Sequence, residues 1–536
     1  MKKVLTYIMI GSLAMGISSC KKTLDINDNP NNPTSSTPDL VLPQSLVGTG
    51  AMVSTYNNGL TYAGGFFANV YGVGGYGATV TVNYSSANFT ALWTSAYDVA
   101  EDYQYVIDNT STDPSLANSN SIARIMKSFV FSKLVDQYSD VPYFEALKGA
   151  EFLTPKYDKG ADIYKDLVAQ LNLAIEQIEA GETAEGVVSI SGEADPMFGG
   201  DMVKWKRFAN SLKLRLLVKM AAVPELSGFA TTEFAAFDTT LGLIQDDALV
   251  NPGYTKQGGR LNPTYNLLAA DENNNRRVTS AIPTDWIYSF YDGTKLEDES
   301  RGEVVFRNFP GTATNQLGQE NLASNVIPPA GSTAWYTGAD FNTPGLGAVK
   351  GPAQGQVIMM LAEAKFLEAE AMVRGYLPGD AGAAFDAGVT ASFRYLYKDQ
   401  TGVVNGDIPA LVQAYKTANA GRYLVDWSAT ASPAAGDYNM DVVQRRIEAI
   451  ITQKYIAMNV INCDEAFAEF RRTNYPRIVN GSADPTLTFA SLQSTSTSPD
   501  KLITRLPYPQ VEYTLNQGNV PQNVNIFSEK IFWEVN

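Results

Sequence analysis

The sequence predicts a mainly α-helical fold in which about four helix pairs stack into a TPR-like α-α superhelix. Eight segments place apolar residues three and four positions apart, which is the spacing of one face of an α-helix. Successive segments follow one another closely, and this favours pairs of neighbouring helices that stack on the next pair. Two long glycine-rich segments lack the helical spacing and are expected to form irregular loop insertions with minor β structure.

The predicted helix pairs occupy residues 86–109 with 119–138, 158–180 with 201–222, 357–374 with 379–397, and 440–460 with 464–472. Asp201 follows two glycines and is suited to cap the N-terminus of the helix that begins there. Gly375, with Pro378 after it, is suited to end the helix that begins near residue 357. No strict repeat of about 34 residues is visible, so the TPR-like arrangement is inferred from the helix pairs alone.

The two expected insertions cover residues 55–87 and 225–355, and both are rich in residues that favour turns. Long segments without regular secondary structure are uncommon in compact domains and are usually functional. We therefore expect one domain, residues 44–536, in which a helical scaffold carries elaborate loops.

The start of the chain has the features of a lipoprotein signal peptide. Lys2 and Lys3 precede an uncharged apolar stretch, residues 4–17, which is too short to span a bilayer. Small residues then precede Cys20, as expected where a signal peptide of residues 1–19 is removed and the cysteine is acylated, for example with palmitate. The alternative is an ordinary secretory peptide in which Cys20 has no special role.

The segment after Cys20, residues 20–43, combines four prolines with many Asn, Asp, Ser and Thr residues. It has too few apolar residues to fold alone, so it is expected to be a flexible tether between a membrane and the folded body.

Composition excludes several kinds of function. The formal net charge is −16, which argues against nucleic-acid binding because that function needs a basic surface. The chain has no histidine, and this excludes a Ser-His-Asp site and most zinc sites. A glycosidase that uses two carboxylates and a calcium site both remain open. Of the two cysteines, Cys463 is expected to be a small buried residue.

Aromatic residues in the insertions are the candidates for ligand binding, because rings can stack on sugar rings or contact peptide side chains. The alternative is that these rings form a second core over the helices. The candidates in the first insertion are Tyr71, Tyr76 and Tyr84, and those in the second are Trp286, Tyr291, Trp335 and Tyr336.

Acidic residues offer two weaker candidates. Asp195 and Asp201 flank a tight turn, where calcium is one interpretation and a turn followed by a helix cap is the other. Glu363, Glu368 and Glu370 lie on a predicted helix near basic residues and are expected to form an ion-paired, solvated face rather than catalytic acids. The same expectation applies to the charged residues of the last helix pair, Arg445, Arg446, Glu448, Glu465, Glu469, Arg471 and Arg472.

Short motifs recur in a characteristic order along almost the whole chain. They are NDNPNNP at 27–33, DVPYFEA at 140–146, FGGD at 198–201, WKRFANSLKLR at 205–215, NPGY at 251–254, AEAKFLEAEA at 362–371, FRRTNYP at 470–476 and RLPYP at 505–509. This series resembles the SusD/RagB family of outer-membrane nutrient-binding lipoproteins of the Bacteroidetes type.

The resemblance implies a surface-exposed lipoprotein of the outer membrane with a TPR-like core. It implies that the protein captures glycans such as starch and delivers them to a SusC-type TonB-dependent β-barrel transporter. Some members bind peptides instead. Their ligand residues lie in variable loops, so the resemblance transfers no site residue to this chain.

Three functions are therefore compared below. The first is a non-catalytic protein that binds a glycan or, alternatively, a peptide, without a cofactor apart from the calcium considered above. The second is a surface glycosidase with two carboxylates facing each other across a cleft. The third is a structural surface protein without a small ligand.

Overall fold

A computed structural model describes residues 37–321, 330–431 and 440–535. The expected signal peptide, Cys20 and the tether as far as residue 36 lie outside these ranges. Within them are 16 α-helices. In chain order, α1 to α16 are Pro38–Gly59, Ala78–Thr81, Thr90–Thr110, Ala117–Tyr138, Gly160–Thr183, Met202–Met220, Ser227–Ala235, Pro263–Leu268, Asp285–Tyr288, Glu299–Val305, Leu361–Val373, Ala381–Tyr397, Ile408–Ala418, Val442–Ala457, Cys463–Thr473 and Gln510–Leu515.

All four predicted helix pairs are confirmed, as α3 with α4, α5 with α6, α11 with α12, and α14 with α15. Consecutive helices from α3 to α6 pack side by side, and α12 and α14 both pack on α11. The expected cap is present, since the Asp201 carboxylate accepts hydrogen bonds from the backbone N–H groups of Val203 and Lys204 at 3.0 and 3.1 Å. Gly375 adopts a positive φ of 74° just after α11, which is the conformation that commonly ends a helix.

Helix α1 corrects the expectation for residues 38–43, which were assigned to the tether. The helix begins at Pro38, where a missing N–H costs nothing, and continues through Pro43 to Gly59. Its buried residues surround the axis instead of lining one side, so the sequence shows little helical spacing. The expected tether can therefore extend no further than residue 37.

Short strands hold the two insertions in place. The six strands are β1 Phe67–Asn69, β2 Val141–Pro142, β3 Tyr157–Asp158, β4 Ala248–Val250, β5 Ala281–Pro283 and β6 Gln356–Met359. They form three antiparallel pairs, β1 with β5, β2 with β3, and β4 with β6. Because β1 belongs to the first insertion and β5 to the second, this pair joins the two. The second insertion is less irregular than expected, since it also contains α7 to α10.

Two hydrophobic cores lie on opposite sides of α11. One contains Leu367 and Ala371 together with residues of α1 and α3 to α6. The other contains Phe366 and Ala369 together with the second insertion and the helices from α12 to α15. Alanines allow neighbouring helices to approach α11 closely, which explains why its sequence is rich in that residue. Cys463 is buried in the second core, as expected.

Charged residues buried between the helices contradict the expectation of solvated faces. Glu363 of α11 is 1% exposed and forms a salt bridge at 2.5 Å with Arg215 of α6. Glu465 of α15 is also 1% exposed and lies 2.9 Å from Lys219, which in turn lies 2.7 Å from Asp136 of α4. These pairs join helices from both halves of the chain, so we call them the interhelical ion network.

The network continues on the other side of α11. Both oxygens of the Glu370 carboxylate accept hydrogen bonds from Arg472 of α15, at 2.8 and 2.6 Å. Arg374 also donates to Glu370, at 2.7 Å, and Glu469 pairs with Arg472 at 2.5 Å. Burial alone would raise the pKa of Glu370, but the charges of Arg472 and Arg374 outweigh it and hold the pKa well below its usual value. The neighbouring pair of Lys365 and Glu368 is partly exposed and matches the expected solvated face.

We predict that Glu370→Gln lowers the free energy of unfolding by about 3–5 kcal/mol at neutral pH, because it removes the carboxylate that the buried Arg472 and the partly exposed Arg374 share. Glu368→Gln on the same helix is the matched control and should cost no more than about 1 kcal/mol. Both losses of stability can be measured by urea denaturation of the purified proteins. Similar losses for the two variants would contradict the structural role assigned to Glu370.

Wild-type protein and Glu370→Gln can also be compared as a function of pH. A carboxylate whose pKa is lowered on folding stabilises the protein above its unfolded pKa, near 4.5, and this contribution is lost as the pH falls towards the folded pKa. The stability difference between wild type and Glu370→Gln should therefore shrink below pH 4.5, whereas a difference that is constant with pH would argue against an ion pair.

Candidate functional site

Four of the seven aromatic candidates are buried. Trp286, Tyr291, Trp335 and Tyr336 are each at most 1% exposed and belong to the second core. The ring of Trp335 stacks on that of Phe67 with centroids 3.9 Å apart. A ligand needs an open ring face, so these four residues are revised from direct contacts to a packed layer beneath the loops. This is the alternative considered from the sequence.

Tyr84 is partly buried and lies outside that layer. Its ring packs against Phe89, with centroids 4.7 Å apart, and it contacts the first core. The cleft that it lines with Tyr62 and Phe489 has a volume of only about 10 Å³, which is too small to hold a sugar ring. Tyr84 therefore supports the base of the first insertion.

Tyr71 and Tyr76 remain partly exposed, at the two ends of a glycine-rich loop. Gly72, Gly75 and Gly77 in this loop adopt positive φ angles of 71°, 91° and 52°, which side chains with a Cβ rarely adopt. A Cβ at Gly75 or Gly77 would meet nothing within 4 Å, so the glycines serve the backbone turn and the loop faces open space.

Hydrogen bonds hold this loop against the second insertion. The Tyr76 hydroxyl donates to the carbonyl oxygen of Ser280 at 2.8 Å, next to the strand pair β1–β5. The backbone N–H of Gly72 donates to the carbonyl oxygen of Glu320 at 3.3 Å. Beneath the loop, the Asn315 amide donates to the carbonyl oxygens of Asn69 and Gln319, at 2.7 and 3.0 Å. Both insertions therefore contribute to one surface.

Two carboxyl groups lie near these tyrosines, and burial raises the pKa of one of them, Asp285. Burial and the negative charge of Asp285 raise the pKa of Tyr71. Burial also raises the pKa of Tyr76, with a further contribution from Glu320. Both phenols are therefore neutral at physiological pH and can donate or accept hydrogen bonds. We call Tyr71, Tyr76, Asp285 and Glu320 the tyrosine loop surface; its chemistry suits a neutral ligand with hydroxyl groups.

The residues at the Asp195 turn do not fit a calcium ion. The Asp195 carboxylate accepts hydrogen bonds from the backbone N–H groups of Met197, Phe198 and Gly200 and from the Trp205 indole, at 2.8–3.0 Å. Asp201 caps α6. These N–H donors carry partial positive charge and occupy the positions that a cation would need, so both residues organise the turn. Across the described residues, no group of three or more His, Cys, Asp and Glu side chains could hold a metal ion.

Two of the three acids considered for catalysis are closed to solvent, and the third, Glu368, pairs with Lys365 on the same helix. Glu363 and Glu370 are at most 1% exposed and are paired with Arg215 and Arg472. A glycosidase needs two carboxyl groups that flank a substrate in a cleft. These two instead bind neighbouring helices together and do not meet that requirement.

In the described ranges, no helix is both long and apolar enough to cross a membrane.

A family model described as "Starch-binding associating with outer membrane" matches residues 31–509 of the chain. This match covers almost all of both cores and both insertions. The chain belongs to the SusD-like family. A comparison with curated protein sequences found no match to this SusD-like chain.

Solved structures show the same TPR-like helical fold. A SusD homologue from Parabacteroides distasonis superposes with a TM-score of 0.68 at 20% identity, covering 94% of this chain and 98% of that one. A chitin-binding SusD homologue from Flavobacterium johnsoniae gives 0.65 at 19% identity, with coverages of 92% and 99%. A SusD homologue from Bacteroides uniformis gives 0.63 at 21%, also with 92% and 99%. The predicted fold class is thus confirmed for the SusD-like chain.

Sequence reasoning missed Asp285, Glu320 and Ser280 as neighbours of the tyrosines. The strand pair β1–β5 brings together segments more than 200 positions apart, and each strand has only three residues. Such short strands leave almost no alternating pattern, so the sequence carries no visible signal for this contact.

We predict that Trp335→Ala in the SusD-like chain lowers the free energy of unfolding by about 3–5 kcal/mol, because it leaves a cavity against Phe67 in the second core. Tyr76→Ala, at the rim, should cost far less, since its ring is partly exposed. Urea denaturation compares the two variants, and an unchanged stability of Trp335→Ala would contradict its burial.

Proposed function

We propose that this protein captures glycans at the outer membrane and that the tyrosine loop surface contacts them. The observation that carries the proposal is the family match, whose description names starch binding and the outer membrane. One structural neighbour is a chitin-binding SusD homologue, which agrees with a saccharide ligand.

The chemistry of the surface supports the same choice. Aromatic rings contact the apolar faces of sugars, while carboxylates and neutral phenols exchange hydrogen bonds with sugar hydroxyls. Tyr71 and Tyr76 supply partly exposed rings, and Asp285 and Glu320 supply the carboxylates. The strand pair β1–β5 and the buried ring layer fix the loop from below, so little ordering is required when a ligand binds.

We also propose that the protein is a lipid-anchored, surface-exposed partner of a SusC-type TonB-dependent β-barrel transporter, to which it delivers its ligand. Support comes from the lipoprotein features around Cys20, from the proline-rich tether and from the family's description. An acylated Cys20 with several acyl chains would hold the protein stably on the membrane, because each buried methylene contributes about 0.8 kcal/mol. No catalytic step belongs to this proposal.

We predict that Tyr71→Ala and Tyr76→Ala each weaken glycan binding by about two- to tenfold, since contacts of an aromatic ring contribute roughly 0.5–1.5 kcal/mol. Isothermal titration with starch- and chitin-derived oligosaccharides measures the effect. Tyr376→Ala is the matched control, because Tyr376 is also partly exposed but packs on Phe234 away from the loop.

An array that carries both glycans and peptides separates the alternative functions. Binding of peptides but not glycans on a mixed array would favour the peptide-binding alternative, and release of shorter sugars would favour the glycosidase. Glycan binding that is unchanged in both tyrosine variants would contradict the assignment of the site, although not the glycan ligand itself.

We predict that Cys20→Ala removes the lipid anchor. Wild-type protein produced in a bacterium that processes lipoproteins should fractionate with membranes, and mass spectrometry should find acyl chains on its N-terminal residue. The variant should be soluble and unmodified, whereas acylation that persists in Cys20→Ala would overturn the lipoprotein assignment.

A further inference from the structure

A cavity lies between α3, α4 and α5, and none of the residues that line it belongs to the tyrosine loop surface. Its volume is about 290 Å³, which is close to the lower limit of typical ligand pockets. The loop that follows β2 forms its mouth. Among the residues that line the cavity are Gln104, Arg124, Lys127, Phe144, Lys148 and Gln170.

Positive charge predominates in this cavity. Arg124, Lys127 and Lys148 line it, against a single carboxylate from Asp166. That carboxylate is already used, because it accepts a hydrogen bond from the Tyr143 hydroxyl at 2.6 Å. A cationic cavity is unusual in a chain whose net charge is −16, and it favours an anionic group.

The cations in the cavity have neutral partners. Lys127 donates to the side-chain oxygen of Gln104, and Arg124 donates to those of Gln170 and Asn120. Among the described residues, no carboxylate lies within salt-bridge distance of Arg124 or Lys127. The cations of the interhelical ion network, by contrast, all have carboxylate partners.

Lys127 also has unused hydrogen-bonding capacity. Its ammonium group has one oxygen acceptor in the described structure and otherwise faces the rings of Phe131 and Tyr143, at 5.6 and 5.3 Å from their centroids. The buried Lys350 shows the usual solution, since its ammonium group donates to three carbonyl oxygens at 2.6–2.8 Å. Lys127 can therefore donate two further hydrogen bonds to a bound group.

The mouth of the cavity adds an apolar surface. Phe144 is 45% exposed, which is unusual for a phenylalanine, and its ring packs edge-on against Tyr143 with centroids 4.9 Å apart. Lys148 is also exposed beside it. The site thus combines an open ring, two amides and three cations around a space that accommodates a single sugar unit.

We propose that this cavity binds a sugar that carries a carboxylate, such as a uronic acid unit of an acidic glycan. The carboxylate lies among Arg124, Lys127 and Lys148, and Phe144 covers the apolar face of the ring. The inference rests on the proposed glycan-binding function but assigns a second site, separate from the tyrosine loop surface.

The test is titration calorimetry of the purified protein with galacturonate. Galactose serves as the matched neutral sugar, and inorganic phosphate serves as an anion without a sugar ring. Galacturonate should bind about tenfold or more tightly than galactose, because hydrogen bonds to a charged group are worth about 1.5–3 kcal/mol. Lys148→Met and Lys127→Met should each remove most of this preference. Lys204→Met, at an exposed position on α6, should leave it unchanged.

Each outcome decides the inference. Equal affinity for galacturonate and galactose would overturn it, and phosphate binding as tight as that of galacturonate would reduce the site to one for small anions. Tyr76→Ala should retain galacturonate binding even where it loses neutral glycans, so failure of this site and failure of the tyrosine loop surface are distinguishable.

A pH series on wild-type protein tests the site without a substitution that might disturb folding. Burial lowers the pKa of Lys127 to about 8, while the nearby charges of Asp166 and Asp108 act against this and those of Arg124 and Lys148 reinforce it. Galacturonate should therefore bind more weakly at pH 9 than at pH 7. Affinity that does not change across this range, together with unchanged binding by Lys148→Met, would exclude the cavity as the site.

Discussion

The interhelical ion network is the interaction on which the rest of the structure depends. Asp136 and Glu465 stand at its centre, on helices that are more than 300 residues apart in sequence, and Lys219 bridges them with contacts of 2.7 and 2.9 Å. A buried charge without a partner is costly, so the network is satisfied in one arrangement of α4, α6, α11 and α15. It therefore fixes the relative positions of helices whose apolar faces could slide against one another.

This constraint explains how long loops can form a defined surface. Helix α11 is buried between two cores, and the second core ends in a layer of rings that includes Trp286 and Trp335. The insertions rest on that layer and are joined by the strand pair β1–β5, so Tyr71 and Tyr76 are presented by a rigid base. The cavity lined by Arg124, Lys127 and Lys148 depends on the same scaffold, because the consecutive helices α3, α4 and α5 supply its walls.

The sequence was informative where apolar residues recur at helical spacing, even in helices that are buried on most sides. Helices α3 and α5 bury one face and α4 and α6 are buried almost all round, and all four agree with the sequence prediction within a few residues. Helix α1 is buried on most sides and contains Pro43, so neither spacing nor composition revealed it. Glu363, Glu370 and Arg472 show the pattern of an exposed ion-paired helix, because local spacing cannot indicate that another charged helix covers them. The aromatic candidates could not be sorted from the sequence for a similar reason. Trp335 and Tyr76 both lie near glycines in an insertion, and the tertiary fold alone determines that the first ring is buried and the second is partly exposed.

The C-terminal segment has a consequence for the order of folding. The Trp533 indole donates to the Asp136 carboxylate at 2.9 Å, and its ring belongs to the first core with α3 to α6. The N-terminal helices therefore cannot complete their core, nor Asp136 its hydrogen bonds, until Trp533 has emerged from the ribosome. Contacts of such long sequence separation form slowly. If the proposed signal peptide directs export, this delay would keep the N-terminal helices from folding before the polypeptide crosses the membrane.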